Sequence, residues 1–487
     1  MNRDEVSIDA VPTAGDNELA ELGVAAVAAA IREGDITAES YAVARLKHAR
    51  RYSDLNSFIT IDEPAVLAAA QHADKARAAG DSAPLLGVPL GVKDSYATRG
   101  LRTTLGVKNL DNFIPAQDAD IVAAIKNAGG IVFGKNNLVE MSYGLTGDNG
   151  RHGRVKNPYD RDRVSGGSSS GSAVSVAARI VPASFGGDTV GSIRVPASLS
   201  GVVGFKPTTG RWPRGGVAPI SHVLDTTGLL ARNVEDCILI DRIVANDTVV
   251  PSSGRSDLKG VRFAYAPKHH LELIEPEIEA QFTSALERLR DAGAEVLEVD
   301  LGEDFSSLAD RVTWNIFFRE TRQAVSEFLH QNDFPVSFEN IYDELNPQLR
   351  EAWGAFVVPN GPGFLAQEAF EETLSVDRPA LQSRLDKVFT ASGFNALIFP
   401  TTATHAPLAE SQWKFTVAGH EVDHLFLARN TVPASGAGLP GISLPLGMSG
   451  SGLPFGIELD GERGRDRELL DVARRVEGLL EAVPGPA

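Results

Sequence analysis

Alternating apolar and polar stretches divide the first third of the chain into short helices and strands. ELAELGVAAVAAAIREGD and TAESYAVARLKHARRY have helix-forming composition, and the first of them is predicted to end at Gly34. LGVPLGVK, residues 86–93, is a short apolar run that predicts a buried strand or an extended loop. DADIVAAIKNAGG followed by IVFGKNN predicts a helix, a glycine stop and a strand, an alternation typical of α/β sheets.

The rest of the chain continues this alternation. VRFAYA and EVLEVDL predict strands on either side of a helix whose apolar residues share one face: Ile278, Phe282, Ala285, Leu286 and Leu289. Residues 300–390 carry helical patterns with aromatic residues. GISLPLGM and LPFGIEL predict strands before a last helix near 465–482. Because no repeat or long linker interrupts this order, we expect one domain.

The stretch from Ser165 to Gly210 is rich in glycine and serine, a composition that is usual in flexible linkers. Apolar residues nevertheless recur throughout it, among them Val174, Ile180 and Phe205. The pattern therefore predicts a buried segment, in which small residues allow the backbone to turn sharply.

Composition and charge limit the function. The chain has 487 residues, of which 43% are hydrophobic and 23% are charged, as in ordinary globular proteins. Its formal net charge of −18 opposes attraction to nucleic acid or to anionic membrane surfaces. We therefore expect a small-molecule substrate and no nucleic-acid or membrane partner. We also expect a monomer or homodimer.

The single cysteine, Cys237, excludes an internal disulfide and a four-thiolate metal site. No run of 18 apolar residues occurs, and the polar, acidic start lacks the pattern of a signal peptide. These features predict a cytoplasmic protein with a polar leader over residues 1–16 and one domain over residues 17–487.

Two segments carry the candidate chemistry. One is GVPLGVKDS, and the other is GGSSSGSAVSVAARIVPASFGGDTVGSIRVPASLSGVVGFKPTTG from Gly166 to Gly210. Together they resemble the amidase signature family, with Ser168 and Ser192 24 positions apart, which is the family spacing. GKNNLVEMSYG, KNPYD, FPTTATHAP and GLPGISLPLGM match as well, so the resemblance covers most of the chain, with a signature core at about residues 85–245.

This resemblance implies a fold and a mechanism. The fold is a single α/β domain with a central twisted mixed β-sheet covered by helices on both faces. The reaction is hydrolysis through an acyl-enzyme on Ser192, with Ser168 as proton relay and Lys93 as terminal base. No cofactor and no metal are implied, and the peptide bond between Gly167 and Ser168 is expected to be cis.

The chemistry also follows from the residues. A serine hydroxyl needs a base in hydrogen-bond contact, and lysine can act as one when it is neutral. Burial disfavours the ammonium form, and Val88, Pro89, Leu90 and Val92 surround Lys93 with apolar side chains. We therefore predict that the pKa of Lys93 is lowered.

An oxyanion needs several backbone N–H donors at one point. By resemblance this loop is Thr189, Val190, Gly191 and Ser192, with Asp188, Arg194 and Ser169 as supporting residues. Two positions depart from the family pattern. Ser170 and Val190 both stand where glycine is usual. Because valine disfavours positive φ, Val190 must adopt an ordinary backbone angle or strain its neighbours.

The substrate is less defined by the sequence. GRWPRGGVAPISHVLDTTGLLARNVEDC and GIELDG look most like the indoleacetamide and mandelamide hydrolase branch, which implies a small aryl-bearing amide. Two alternatives stay open. One is aryl acylamide or carbamate (urethane) hydrolysis by the same triad, with esterase side activity as a related outcome, and the other is the glutamine-hydrolysing A subunit of an amidotransferase. Candidate substrate contacts are Met141, Ser142, Tyr143 and His405.

Other interpretations of single motifs compete with this one. Gly167–Gly171 also fits the G-x-S-x-G pattern of α/β-hydrolases, which would make Ser169 the nucleophile, but a polar segment stands where that motif needs an apolar strand. Gly129–Asn136 nearly matches a phosphate-binding loop, without its Ser or Thr. Aromatic residues after position 300 are expected in the core or around an apolar pocket: Trp314, Phe317, Phe318, Trp353 and Phe356. A catalytically silent scaffold is disfavoured by the presence of all three triad residues.

Overall fold

A computed structural model describes residues 16–247 and 257–486, so the leader expected over residues 1–16 lies outside the described residues except for its last position. The strands in these ranges, in chain order, are β1 (Phe58–Thr60), β2 (Pro89–Lys93), β3 (Ile131–Asn136), β4 (Ala183–Asp188), β5 (Val203–Lys206), β6 (Thr226–Ala231), β7 (Arg262–Tyr265), β8 (Glu295–Glu298), β9 (Ala396–Pro400), β10 (Lys414–Val417), β11 (His420–Asp423), β12 (Gly441–Met448) and β13 (Pro454–Asp460).

The α-helices in the same ranges are α1 (Asp16–Ala20), α2 (Val24–Glu33), α3 (Ala38–Arg51), α4 (Glu63–Ala78), α5 (Asp120–Asn127), α6 (Ser170–Ala177), α7 (Arg194–Ser200), α8 (Val234–Val244), α9 (Pro267–His270), α10 (Pro276–Asp291), α11 (Phe305–Gln331), α12 (Phe338–Glu344), α13 (Pro347–Phe356), α14 (Gln367–Glu372), α15 (Arg378–Thr390), α16 (Val432–Ala437) and α17 (Asp466–Glu477). As predicted, residues 300–390 are mainly helical, and the last helix follows two strands.

Eleven of the described strands form one sheet in the order β1-β3-β2-β4-β6-β5-β12-β13-β9-β7-β8. Strands β3, β2 and β4 are parallel neighbours, and so are β9, β7 and β8, whereas the pairs between β4 and β9 are antiparallel. The sheet is therefore mixed, in agreement with the predicted fold class.

Helices cover both faces of this sheet because its central strands are apolar on both sides. In β9, Ala396 and Ile398 belong to one apolar cluster, and Leu397 and Phe399 belong to the other. The first cluster includes residues of α8, α10 and α17, and the second includes residues of α11, α15 and α16. Successive side chains of a strand point to opposite faces, which accounts for this division.

The first predicted helix is wrong in one respect, because the structure divides it into α1 and α2. At the break, a side chain on Gly23 would lie only 2.4 Å from an Asp236 carboxylate oxygen. That carboxylate accepts the Ala25 N–H across 2.9 Å. A tertiary contact with α8 therefore fixes the start of α2, and local composition could not indicate it.

The Gly/Ser-rich segment is buried, as predicted, and folds into α6, β4, α7 and β5. Residues 131–136, within the Gly129–Asn136 phosphate-loop match, form strand β3, as IVFGKNN predicts. Lys135 in that strand pairs with Asp94 across 3.1 Å. In the described ranges, no helix is both long and apolar enough to cross a membrane.

Candidate active site

Two parallel strands bring the candidate site together. Strands β2 and β4 are neighbours in the sheet, and they end at Lys93 and Asp188. Because the strands are parallel, both residues lie at the same edge of the sheet. The loop 189–193 leads from β4 into α7, and Ser168 comes two residues before α6. The site therefore lies at the carboxyl edge of these strands.

Lys93 and Ser168 are in direct contact. The Lys93 Nζ donates to the Ser168 Oγ across 2.9 Å, and both side chains are buried. Burial lowers the pKa of Lys93 to about 7, although the nearby Asp225 and Asp188 carboxylates act in the opposite direction. The amine is consequently available in its neutral form near neutral pH. The peptide bond between Gly167 and Ser168 is cis.

A backbone hydrogen bond connects the segment of Ser192 to the segment of Ser168. The Ser169 N–H donates to the Ser192 carbonyl across 3.2 Å, and this bond joins the two serine-bearing segments. The Ser169 hydroxyl donates to the Gly187 carbonyl at 3.1 Å and accepts the Gly187 N–H at 3.2 Å. The hydroxyl of Ser169 is therefore engaged by the backbone of Gly187. A loop precedes Ser169, whereas the nucleophile of an α/β-hydrolase follows a strand.

A buried ion-pair network holds the loop that contains Ser192. The Arg194 guanidinium donates to Asp188 at 3.0 and 3.1 Å and to Glu458 at 2.6 Å. Burial acts to raise the pKa of Asp188, but the charge and hydrogen bonds of Arg194 outweigh it, so this pKa lies below its ordinary value. Asp188 also accepts the Ile193 N–H at 3.1 Å. The network thus closes the turn around Ser192.

The loop from residue 189 to residue 192 offers free backbone donors. Within the described part of the chain, none of the four N–H groups donates to a protein acceptor. Val190 has no positive φ, whereas Gly191 has a φ of 142°. The valine therefore adopts an ordinary backbone angle, and the unusual angle falls on the adjacent glycine. Four free donors in one turn suit a developing oxyanion.

Replacing Gly191 by alanine is expected to disturb this loop. The new Cβ would lie 2.3 Å from the Thr431 Oγ1, and that hydroxyl donates to the Val190 carbonyl across 2.6 Å. Because oxyanion donors act only when they are correctly placed, we expect Gly191→Ala to lower kcat by about 10²-fold. Steady-state kinetics with an aryl primary amide measures this.

The matched control for this variant is Gly210→Ala. Gly210 also has a positive φ, 89°, but its added Cβ would meet no atom within 4 Å. Like Gly191→Ala, Gly210→Ala places an alanine at a positive φ, but its Cβ contacts no other atom. Its kcat should therefore stay near that of the wild type. Equal losses in the two variants would contradict a specific role for the Gly191 turn.

Two cavities flank the candidate residues, and Ser142 lines both. The first, the polar cavity, has a volume of about 180 Å³ and is lined by Lys93, Ser168 and Asp225 among others. The second, the aromatic cavity, has a volume of about 260 Å³ and includes Ser192. Its apolar wall consists mainly of Tyr143, Val190, Trp314, Phe317, Phe318, Phe356, Trp413 and Leu425.

Comparison with known proteins identifies the family of this chain. A family model described as Amidase matches residues 40–470. The chain belongs to the amidase family. It is a hydrolase of amide C–N bonds, and the predicted family membership is confirmed.

Three relatives show how close this amidase is to known members. It is 34% identical to mandelamide hydrolase of Pseudomonas putida, over 96% of this chain and 93% of the relative. It is 35% identical to the A subunit of glutamyl-tRNA(Gln) amidotransferase from Roseiflexus sp. (strain RS-1), over 91% and 92%. A crystal structure of an amidase superposes with a TM-score of 0.83 at 28% identity, over 94% of this chain and all of the other.

The substrate contacts expected in this amidase from sequence lie in different places. Ser142 and Tyr143 line the aromatic cavity, but Met141 packs among apolar core residues with Val107 and Trp353. His405 lies in a third cavity, where its ring nitrogen Nδ1 contacts Glu275. The structure therefore brings two of the four residues to the cavities beside Ser192.

Two functional candidates of the amidase were not found from sequence. Asp225 accepts the Thr189 hydroxyl at 2.7 Å and the N–H groups of Ile220 and Ser221 at 2.8 and 3.0 Å. The Thr431 hydroxyl, which belongs to a distant segment, donates a hydrogen bond to the Val190 carbonyl. Asp225 lies within the family-like segment GRWPRGGVAPISHVLDTTGLLARNVEDC, but that segment does not indicate its role. The roles of Asp225 and Thr431 depend on contacts with other segments of the chain. Among the described residues, no group of three or more His, Cys, Asp or Glu side chains is arranged to hold a metal ion.

Proposed function

We propose that this amidase cleaves small aryl-bearing amides through an acyl-enzyme on Ser192, with Ser168 as proton relay and Lys93 as terminal base. The observation that carries the proposal is the 2.9 Å contact between the buried Lys93 amine and the Ser168 hydroxyl. Because burial lowers the pKa of Lys93 to about 7, the neutral amine can accept a proton across this contact. No cofactor takes part in the proposed steps.

The proton moves in both directions during one turnover. Ser192 Oγ attacks the carbonyl carbon and gives its proton to Ser168, while Ser168 gives its own to Lys93. The C–N bond breaks as the relay returns that proton to the leaving nitrogen. Water then attacks the carbonyl of the acyl-enzyme and gives a proton to the relay, and the relay returns this proton to the Ser192 Oγ as the acid leaves. The free N–H groups of Thr189–Ser192 are the proposed oxyanion donors, and Asp188, Arg194 and Ser169 support them.

The aromatic cavity supports an aryl acyl group. Its volume of about 260 Å³ exceeds the roughly 150 Å³ that suffices to bind benzene in an apolar protein cavity. Phe317 contacts Tyr143 with ring centroids 4.5 Å apart and Trp314 with centroids 5.3 Å apart. Such rings offer edges and faces to a further ring. Since Ser192 lines the same cavity, the aryl group and the reacting carbonyl occupy it together.

Truncating the aromatic wall is expected to change substrate preference. Trp314 is half-buried and lines the cavity, so Trp314→Ala removes ring contacts with little disturbance of the core. The kcat/KM for phenylacetamide should fall by about tenfold to a hundredfold, because the lost contacts bind only the aryl group. The kcat/KM for acetamide should change much less. Ammonia release from both amides measures the ratio.

The control for this experiment is Phe364→Ala. Phe364 is a half-buried aromatic residue outside the aromatic cavity, where it stacks under the Arg319 guanidinium at 4.9 Å. Its replacement should leave the ratio of the two substrates unchanged. A preference for phenylacetamide that survives in Trp314→Ala would contradict the assignment of the aryl group to this cavity.

Carbamates and aryl acylamides are further candidates, because they present the same carbonyl and leaving nitrogen to the same three residues. An ester would form the same acyl-enzyme, with the relay proton going to the oxygen of the leaving alcohol, so esterase side activity would follow. These substrates belong in the same assay, with the aryl group held constant.

A second candidate function is release of ammonia from glutamine, which the 35% identity to the A subunit of an amidotransferase favours. Glutamine carries an ammonium and a carboxylate group, and Asp148 is the charged residue in the lining of the aromatic cavity. An apolar wall offers little to a doubly charged substrate. Faster hydrolysis of glutamine than of phenylacetamide by the purified chain would favour this function instead.

A further inference from the structure

We propose that the polar cavity is a leaving-group subsite, and that this amidase accepts N-substituted amides whose amine carries a neutral hydrogen-bonding group. The inference rests on the proposed function, because it uses the proposed roles of Ser192, Ser168 and Lys93. It adds the class of amine that leaves, which the aromatic cavity does not define.

The positions of the proton relay and the nucleophile determine which part of the substrate enters each cavity. Lys93 and Ser168 line the polar cavity, and Ser192 lines the aromatic cavity. When the C–N bond breaks, the nitrogen takes a proton from Ser168, so it must lie on the Ser168 side of the carbonyl. The acyl group then extends into the aromatic cavity, and any substituent on nitrogen extends into the polar one. Ser142 lines both cavities, so they meet at this point.

The polar cavity is larger than the ammonia that a primary amide would release. Ammonia is about as large as water, and a water molecule occupies about 30 Å³ in the liquid. The polar cavity has about 180 Å³, so it holds a substituent of several heavy atoms next to the leaving nitrogen. After the amine has left, the same space admits the water that attacks the acyl-enzyme.

The lining of the cavity indicates the chemistry of that substituent. Hydroxyl and amide side chains line the wall, among them Ser95, Thr227, Gln331 and Asn332. They donate and accept hydrogen bonds, which suits a hydroxyl-bearing amine better than a purely alkyl one.

Charge around the cavity disfavours an anionic substituent. Asp225 lines it, and its carboxylate accepts three hydrogen bonds from the chain. Glu320 bonds Ser221 in the wall, and Glu327 bonds His222 at 3.0 Å. Basic side chains also line this cavity. They include Lys93, whose pKa burial lowers to about 7, and Arg214, which donates to the carbonyls of His222 and Asp225. The excess of carboxylates favours an amine that departs as an ammonium ion.

The test compares three amides that share one acyl group. They are phenylacetamide, N-(2-hydroxyethyl)phenylacetamide and N-phenylacetylglycine. With the wild-type enzyme, we expect kcat/KM for the hydroxyethyl amide to be within about tenfold of that for phenylacetamide, and that for the glycine derivative to be at least about tenfold lower still. Release of the acid, phenylacetate, is a readout common to all three.

Filling the polar cavity with a larger side chain tests whether the substituent on nitrogen binds there. Ala218 lies in its wall, so Ala218→Phe should lower kcat/KM for the hydroxyethyl amide at least about tenfold relative to phenylacetamide, and Ala218→Leu should lower it less. The matched control is Ala352→Phe in the aromatic cavity, which should affect both amides alike. The graded leucine variant serves if the phenylalanine variant does not fold.

Three outcomes would overturn the subsite. They are a hydroxyethyl amide that the wild type cleaves more than about a hundredfold less efficiently than phenylacetamide, equal losses for both amides in the Ala218 variants, and a preference for the glycine derivative. Absence of turnover of every amide by the wild type would contradict the proposed function itself, and the subsite with it. Turnover of phenylacetamide alone would retain the proposed function and reject only the subsite.

Discussion

Replacing Ser192 by alanine is expected to lower kcat/KM for phenylacetamide by about 10⁴-fold or more, because the acyl-enzyme cannot form without the hydroxyl. The side chain is only 4% exposed and small, so alanine fits its place and the fold should persist. Rates of ammonia release and the melting temperature are the two measurements. Activity equal to that of the wild type would refute the mechanism.

A matched serine variant controls for the loss of a buried hydroxyl. The Ser170 hydroxyl is buried and has no hydrogen-bond partner among the described residues, so Ser170→Ala removes a polar group that gains nothing from burial. Its kcat/KM should remain near that of the wild type, with a melting temperature that is equal or higher. The contrast between Ser170→Ala and Ser192→Ala isolates the nucleophile.

A covalent probe distinguishes the serines chemically. A phosphonate or sulfonyl fluoride should label Ser192, and peptide mass spectrometry locates the adduct. An adduct on Ser169 would favour the α/β-hydrolase interpretation, although the hydroxyl of Ser169 is bonded to Gly187. Labelling that disappears in Ser192→Ala, and persists in Ser170→Ala, is the expected result.

Lys93→Met is expected to lower kcat/KM by about 10³-fold, because the relay loses its terminal base. The wild-type enzyme needs the neutral amine, and burial lowers the pKa of Lys93 to about 7. Below that pH, kcat/KM should therefore fall tenfold for each pH unit, and above it the profile should be level. A pH–rate profile measures both effects, and a profile without an inflection near pH 7 would contradict the role of Lys93.

The same shift predicts a change in stability. Lys93 has an ordinary pKa of 10.5 when unfolded and about 7 when folded, so unfolding takes up a proton between these pH values. The wild type accordingly gains stability as pH rises from about 7 to 10.5, and the full cost of the buried ammonium applies below pH 7. Lys93→Met removes this cost, so its melting temperature should exceed that of the wild type more at pH 6 than at pH 9.

Lys206→Met is the matched control for the pH profile. Burial lowers the pKa of Lys206 to about 8, and its Nζ donates to the backbone carbonyls of Leu439 and Pro207 at 2.5 and 3.3 Å. It is therefore a buried lysine of lowered pKa without the contact to Ser168. Its kcat/KM profile should keep the inflection near pH 7.

Much of the fold could be predicted from the periodicity of apolar positions. Strands β12 and β13 lie where GISLPLGM and LPFGIEL predict strands, and the buried residues of α10 are the five that the apolar pattern places on one face. The break between α1 and α2 could not be predicted, because it depends on the contact between Gly23 and Asp236, which are far apart in the sequence. Strand order in the sheet depends on such contacts throughout.

The sequence by itself determined the family, the α/β class and the candidate triad, because small residues at fixed spacings and an apolar run around Lys93 are local properties of the chain. Only the tertiary structure decided which side chains meet. It placed His405 in a separate cavity, packed Met141 into the core and joined Asp225 to Thr189. It also showed that Gly191, and not Val190, has the positive φ. The space beside the serines consists of a polar and an aromatic cavity. The reason is physical: a cavity is bounded by segments distant in sequence, and their packing against the sheet fixes its shape.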